Sequence, residues 1–330
     1  MERSLKAVDC IIEVHDARIP FSGRNPQFKT QLTSIKPHIL ILNKSDLTDM
    51  SWKHEVEKKL VSEGINAVLH TNLQSSNLKD SGFKKILPTA LGMVKSNERY
   101  NRQDVRDVHL MIIGIPNVGK STLINRFRSQ YGKTSAALVG KNAGVTRHVM
   151  ERIKVCDDPK IYILDTPGVL QPRIDIKKNV DNIMKLALVS SLSDDVIGPE
   201  LIADYQLYWL NKNGHFSYVD YFNLKEPSDS IGEVLFNIAV NLNMVEKIKS
   251  RSTNRLIDMP SVLMAAVRFI RAFRDGSLGR FFLDHKELGI TRAQQGILTW
   301  EEYQTIRSDM REPPIERFDH DLVDQESAHQ

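Results

Sequence analysis

Short apolar runs that break off into polar, chemistry-bearing residues recur through the first half of the chain. Residues 10–14 lead into Asp16-Ala17-Arg18, 39–42 into Asn43-Lys44-Ser45-Asp46, 67–69 into Thr71-Asn72, 110–113 into Gly114, and 161–164 into Asp165. Runs without polar alternation suit parallel strands buried on both faces. Amphipathic, helix-length stretches such as 52–63 and 121–128 lie between them. This alternation predicts a doubly wound α/β sheet, with ligands bound beyond the carboxyl ends of its strands.

From about residue 180 the pattern turns helical. Stretches 182–192, 199–210 and 231–248 read as helices, and 260–274 is the clearest, with Val262, Ala265, Ala266, Phe269 and Phe273 on one face. The expected organisation is an α/β domain over 1–185, a mainly α-helical domain over 190–311, and an acidic tail over 312–330 with few large apolar groups.

Composition narrows the class. Of the 330 residues, 41% are hydrophobic and 26% charged, and no apolar run reaches a bilayer span. Cys10 and Cys156 are the only cysteines, which excludes a disulfide framework and argues against structural zinc. The net charge of +4 is unevenly placed: 30 Lys+Arg against 19 Asp+Glu up to residue 190, and 15 against 22 beyond it. An anionic partner is therefore expected for the first part. Within the acidic second part, 247–280 is locally basic, and Arg268, Arg271 and Arg274 recur every third residue as a stripe suited to RNA phosphate.

The sharpest motif is Gly114-Ile115-Pro116-Asn117-Val118-Gly119-Lys120-Ser121, which fits the phosphate-loop pattern between a strand and a helix. Its backbone N–H groups, including those of Val118, Gly119 and Thr122, are expected to face phosphate, with Lys120 neutralising charge and Ser121 offering a hydroxyl to Mg²⁺. Asp165-Thr166-Pro167-Gly168 ends the next good strand, where Asp165 would hold a Mg²⁺-bound water and the Gly168 N–H would meet a γ-phosphate. Thr146 lies between the two and is the expected switch hydroxyl on Mg²⁺. Asn43, Lys44 and Asp46 form a guanine reader, because a carboxylate accepts from the ring N–H and exocyclic amine that adenine lacks. Thr71 and Asn72 are placed for a backbone contact to the base carbonyl.

The order of these motifs decides the architecture. Ras-like G domains place the guanine reader after the phosphate loop and switches; here it comes first, at 43 against 114 and 165. The fold expected is a circularly permuted Ras-like P-loop GTPase domain followed by a helical domain, so that the helix after Asp165 runs directly into the second domain.

With Val14-His15-Asp16-Ala17-Arg18-Ile19-Pro20, Gly23-Arg24-Asn25-Pro26 and Ala203-Asp204-Tyr205-Gln206-Leu207-Tyr208, the chain resembles the circularly permuted GTPases of the YlqF/RbgA type, and most of all their mitochondrial ribosome-associated branch. The resemblance implies GTP and GDP binding and Mg²⁺-dependent hydrolysis. It further implies assembly of the mitochondrial large ribosomal subunit through rRNA and protein contacts, and a matrix location with peripheral inner-membrane association; a monomer is expected. Asn117 resembles residues that help hold K⁺ beside the phosphates, where a cation would offset developing charge. The alternative is a nucleotide-sensing ribosome binder with little hydrolysis.

Two departures shape the expectations on catalysis. Val169 stands where many G proteins carry a water-orienting Gln. The family resemblance implies a His in an N-terminal Phe-Pro-Gly-His-Met segment for that task, and this sequence has no such motif. His15 and His148 read as packed or solvated residues, which leaves the water-orienting group unassigned. The chain is read as an N-terminally shortened form without a targeting segment, and slow turnover in the absence of the ribosomal partner is expected.

Asp46→Asn should cost GTP a few kcal/mol and shift preference toward the xanthosine nucleotide, because one acceptor becomes a donor. Competition binding with GTP, XTP and ATP measures it, and wild-type protein that bound ATP as tightly as GTP would refute the assignment.

Overall fold

The computed structural model describes residues 7–24, 36–74, 81–97, 99, 102, 105–131, 151–165, 180–249 and 256–309; the side chain of Asp165 is not among the described groups. Six strands form one sheet: β1 (Cys10–Asp16), β2 (His38–Asn43), β3 (Ala67–His70), β4 (Val108–Ile113), β5 (Glu151–Asp157) and β6 (Lys160–Asp165). The order is β3-β2-β1-β4-β6-β5, parallel throughout except for β5 against β6. Every residue of β1, β2 and β4 is buried, which is why these strands read as apolar runs, with Glu13 and His15 of β1 the polar pair buried among them. Register pairs Asp16 with Asn43, Glu13 with Ile113, and Ile112 with Asp165, so all the motif-bearing strand ends leave the same edge of the sheet.

Helices α1 (Lys53–Ser62), α2 (Ser81–Ser96) and α3 (Lys120–Tyr131) complete the α/β part. Two elements there escape the hydrophobic pattern. Strand β5 is an edge strand that buries Ile153 and Val155 between polar neighbours, a half-buried alternation unlike the parallel runs. Helix α2 contains Pro88, a residue that ordinarily argues against a helix interior, yet it buries Phe83, Ile86, Leu87, Ala90 and Val94 at helical spacing.

The rest is mainly helical: α4 (Val180–Leu188), α5 (Asp194–Ile197), α6 (Pro199–Lys212), α7 (Ser217–Tyr221), α8 (Ile231–Asn241), then hairpin β7 (Val245–Lys249) and β8 (Leu256–Pro260), followed by α9 (Val262–Arg274), α10 (His285–Leu288) and α11 (Trp300–Asp309). The helix expected to run to 248 therefore stops at Asn241. Asn243 adopts φ 51°, a left-handed conformation that Asn tolerates and a helix does not, and the chain turns into the hairpin. The 182–192 helix likewise ends at Leu188, ahead of Ser190 at φ 64°. Helix α9 matches its pattern, capped by the Ser261 hydroxyl accepting from the Met264 N–H and burying Ala265, Ala266, Phe269 and Phe273. The acidic stretch 312–330 lies outside the described residues.

One hydrophobic core runs from the sheet into the helices, joining Ile112 and Leu123 to Leu188, Leu207 and Phe269. The segment after α9 returns to the α/β part: the Phe281 N–H donates to the Leu47 carbonyl (3.1 Å) and the Leu283 N–H to the Arg18 carbonyl (2.9 Å). Asp284, wholly buried, accepts from the N–H groups of Phe21 (2.7 Å) and Ser22 (2.9 Å) and lies 3.3 Å from Lys185 of α4. Lys185 also reaches Glu287 at 2.8 Å and Asp181 at 3.2 Å. Burial works against its charge, but the three carboxylates hold its pKa above the ordinary lysine value.

Beside this junction Trp209 stacks on His215 and His285, at centroid distances of 5.4 and 6.4 Å. Burial is the main cause that pushes both imidazoles down to about 4 from an ordinary 6.5. In the unfolded chain they protonate near 6.5, so the unfolded state binds the extra protons and stability falls as pH drops from 6.5 toward about 4. Thermal melts across that window should show a declining Tm, and His215→Phe, which keeps the stack but cannot titrate, should flatten the decline; equal slopes would contradict the assignment.

Candidate functional site

The phosphate loop is shaped by three positive-φ residues: Gly114 (149°), Asn117 (58°) and Gly119 (106°). A Cβ at Gly114 would collide with the Val14 carbonyl, and one at Gly119 with the Asn43 amide, so both positions need glycine for space as well as for conformation. Helix α3 begins at Lys120, which leaves the N–H groups of its first turn facing the loop, a ready site for phosphate. The Lys120 ammonium lies over the loop and donates to the Ile115 carbonyl at 2.7 Å. Ser121 is exposed at the mouth and Thr122 half-buried behind it.

Asn43 is the staple of the site. Its Nδ2 donates to the Val118 carbonyl (2.8 Å), while its Oδ1 accepts from the Thr71 hydroxyl (3.2 Å) and the Leu73 N–H (3.0 Å). One buried amide thus joins the phosphate loop, the end of β2 and the loop after β3. The direct base contact expected of Asn43 is reduced to what one remaining Nδ2 hydrogen can do. The Ser45 N–H donates to the Thr71 carbonyl (3.1 Å), and the Asn72 carbonyl accepts from Arg126 of α3 (3.0 Å). Asp46, the expected base-reading carboxylate, is exposed beside this frame.

The sequence named Asp16 and Arg18 without giving them a task. Asp16 is fully buried at the end of β1, with Arg18 bidentate on its carboxylate (2.9 and 2.8 Å) and the Lys44 ammonium at 3.0 Å. Burial would raise its pKa, but the Arg18 and Lys44 charges overcome that and hold it at about 2. The carboxylate fixes Lys44, which sits at φ 58° inside the guanine reader, and Arg18 rests over the Phe273 ring of α9 at 5.8 Å. The base-reading loop is therefore braced from the helical part. The missed signal was the pairing of Asp-Ala-Arg after one strand with Lys44 after its neighbour.

Other expected groups are distributed differently. The backbone of Asp165 ends β6 beside Ile112, at the foot of the phosphate loop. Thr146, Gly168, Val169 and His148 lie outside the described residues, as do Arg251 and Arg255. His15 is packed, with its Nε2 2.7 Å from the buried Glu13 carboxylate. The three-arginine stripe does not survive as drawn. Arg274 binds the Ala187 and Leu188 carbonyls and forms an ion pair with Asp194 at 2.6 Å, Arg268 donates to the Tyr221 hydroxyl at 2.7 Å, and Arg271 alone of the three is exposed. Arginines at helical spacing near an apolar face were needed for docking α9 on its neighbours. Asn117, expected beside K⁺, donates its Nδ2 to the Ser190 carbonyl at 2.8 Å and keeps its Oδ1 without a partner among the described residues.

A phosphate loop and guanine reader at one edge of a parallel sheet, with the reader on the earlier strands, define a circularly permuted P-loop GTPase fold. Comparison with known proteins agrees. The family described as 50S ribosome-binding GTPase matches residues 109–213, which start at the phosphate-loop strand and leave the reader outside on its N-terminal side. The chain is 45% identical over 287 residues to mitochondrial ribosome-associated GTPase 1 of Mus musculus, covering 86% of each chain. It is 33% identical to ribosome biogenesis GTPase A of Bacillus licheniformis, covering 71% of this chain and 78% of that one. A GNP-bound YlqF structure from T. maritima shares the fold with a TM-score of 0.53 at 22% identity, over 85% of this chain and 94% of that one. The chain belongs to the YlqF/RbgA family of circularly permuted GTPases, in the branch of the mitochondrial ribosome-associated GTPases.

Replacing Asp16 by Asn removes the charge that both Arg18 and Lys44 face in a dry site. Stability should fall by about 3–5 kcal/mol, as for a broken buried ion pair. In the fraction that remains folded, GDP should bind roughly tenfold more weakly, the cost of about one charged hydrogen bond. Fluorescent-GDP titration alongside circular dichroism separates the two effects; unchanged affinity in folded protein would show that Lys44 needs no brace.

Proposed function

We propose that this GTPase is an assembly factor for the mitochondrial large ribosomal subunit and acts in the matrix. The observation that carries the reading is the bracing of the guanine reader against the helical part, through Asp16, Arg18 and the 276–284 segment, with helix α4 joining the same junction through Lys185. Such a frame gives nucleotide occupancy a mechanical route to a second surface. The names of relatives, ribosome-associated and mitochondrial, support this choice of partner and compartment.

In this reading residues 1–185 form the nucleotide-binding domain and 190–311 the ribosome-facing one, with Arg271 as the arginine of the former stripe left for rRNA phosphate. The protein works as a monomer and associates with the inner membrane only peripherally; no described helix is long and apolar enough to cross a bilayer. Ser121, Thr146 and Asp165 hold Mg²⁺, Asp165 through water. The exposed Ser121 hydroxyl and the backbone position of Asp165 beside Ile112 fit that assignment. The spare Asn117 Oδ1 fits a K⁺ ligand. Mg²⁺ supplies charge neutralisation at the phosphates when bound.

The test is co-sedimentation with isolated mitochondrial large subunits in a non-hydrolysable GTP analogue against GDP, with hydrolysis measured in K⁺ and Na⁺. Binding favoured by the analogue and hydrolysis faster in K⁺, lost in Asn117→Ala, are the expected results. Equal sedimentation in both nucleotides would remove the assembly reading, and equal rates in both salts would remove the K⁺ site.

A further inference from the structure

Residues of helices α4 and α6, with Asp229, line a groove of about 710 Å³, at the place where the Ala203-Asp204-Tyr205-Gln206-Leu207-Tyr208 motif comes to the surface. Part of that motif is structural: Ala203, Gln206 and Leu207 face inward, and the Gln206 amide donates to the Phe269 carbonyl at 3.0 Å. The remainder faces out. Val180, Leu201 and Tyr208 line the groove at 61%, 54% and 54% exposure, a concentration of bare apolar side chains that folding alone does not require.

The charges around this apolar floor select what it can receive. Asp204 and Asp229 line the groove and both are exposed, while Asp181, on the adjoining turn of α4, accepts from the Tyr205 hydroxyl at 2.8 Å. Among the described lining residues the cation is Lys212, which is folded onto Tyr208, with its ammonium 2.9 Å from the phenol oxygen and 5.1 Å from the ring centroid. With Lys212 set against Asp204 and Asp229, and Asp181 paired with Lys185, the lining keeps a net negative charge, which disfavours nucleic-acid phosphate, anionic lipid and the chain's own acidic 312–330 stretch. A peptide rich in arginine or lysine that carries aliphatic anchors is attracted at the rim and held on the floor.

We infer that the α4–α6 groove is the docking site for a basic, apolar-anchored peptide segment of a ribosomal protein. The source rests on the assembly function proposed above; the chemistry of the groove does not. Because Val180 opens the helix that follows the Asp165 strand, the docked peptide lies at the element that connects the nucleotide site to Lys185 and Asp284.

Fluorescence anisotropy with a fluorescein-labelled peptide of alternating arginine and leucine tests it, with a glutamate–leucine peptide as control. The arginine peptide should bind and the glutamate peptide should not. Asp204→Lys with Asp229→Lys should weaken binding about tenfold and flatten its salt dependence. Leu201→Ser with Tyr208→Ala should weaken it by a similar factor, about tenfold, at every salt concentration. GDP affinity and Tm should stay at wild-type values in both pairs. Equal binding of the two peptides, indifference to both variants, displacement of the peptide by polyuridylate, or a dimer in sedimentation velocity that the variants abolish would each overturn the proposal. Large-subunit co-sedimentation of the variants distinguishes the two levels: full retention by both overturns the ribosomal source, whereas no sedimentation of the unaltered chain falls on the assembly reading and leaves the peptide result to decide the groove.

Discussion

The Asp284 carboxylate is the point on which the arrangement of this molecule turns. It is wholly buried and takes two backbone N–H groups and a hydroxyl from residues 21 and 22, so the chain leaving β1 has its polar groups satisfied by a residue more than two hundred and fifty positions away. Its countercharge, Lys185, comes from a third stretch of chain. Three segments meet on one buried ion pair, and none of them could retreat without leaving a charge or a backbone donor dry. Such a junction contributes little net stability, but it admits a single relative placement of β1's exit, helix α4 and the returning segment.

The nucleotide site inherits its geometry from that placement. The returning segment carries Phe281 and Leu283 onto the carbonyls of Leu47 and Arg18, and Arg18 in turn holds Asp16, whose carboxylate fixes Lys44. On the phosphate side a single amide, Asn43, ties the loop to the reader at a distance only glycine at 119 permits. The phosphate-loop motif and the loop after β2 are thereby tied so that they cannot drift apart.

What the sequence made legible follows from how strongly each position is constrained. Buried parallel strands have no polar face, so β1, β2, β4 and β6 stood out as apolar runs, and the glycines at 114 and 119 are irreplaceable for reasons of space. The permutation could be read because motif order is a property of sequence alone. Edge strand β5 and the proline-bearing α2 could not, since each satisfies a local rule only in part and is held by what it packs against. Arg274 was misjudged for a related reason: helical spacing fixes which face a residue occupies, and here that face was covered by the carbonyls at the end of α4. The task of Asp16 was hidden because its partner Lys44 belongs to a different strand end.

Strand β1 is the first of the described strands, yet it stands in the interior of the sheet, between β2 and β4. During synthesis its β2 edge can be covered within some thirty residues, whereas its other edge waits for Leu110 to Ile113, about a hundred residues later. Until then a bare row of N–H and C=O groups flanked by Cys10, Ile11 and Ile12 is open to wrong partners. The permuted order decides which half waits: the base half of the pocket can assemble early, but it remains an unfinished edge until the phosphate half has left the ribosome that made it.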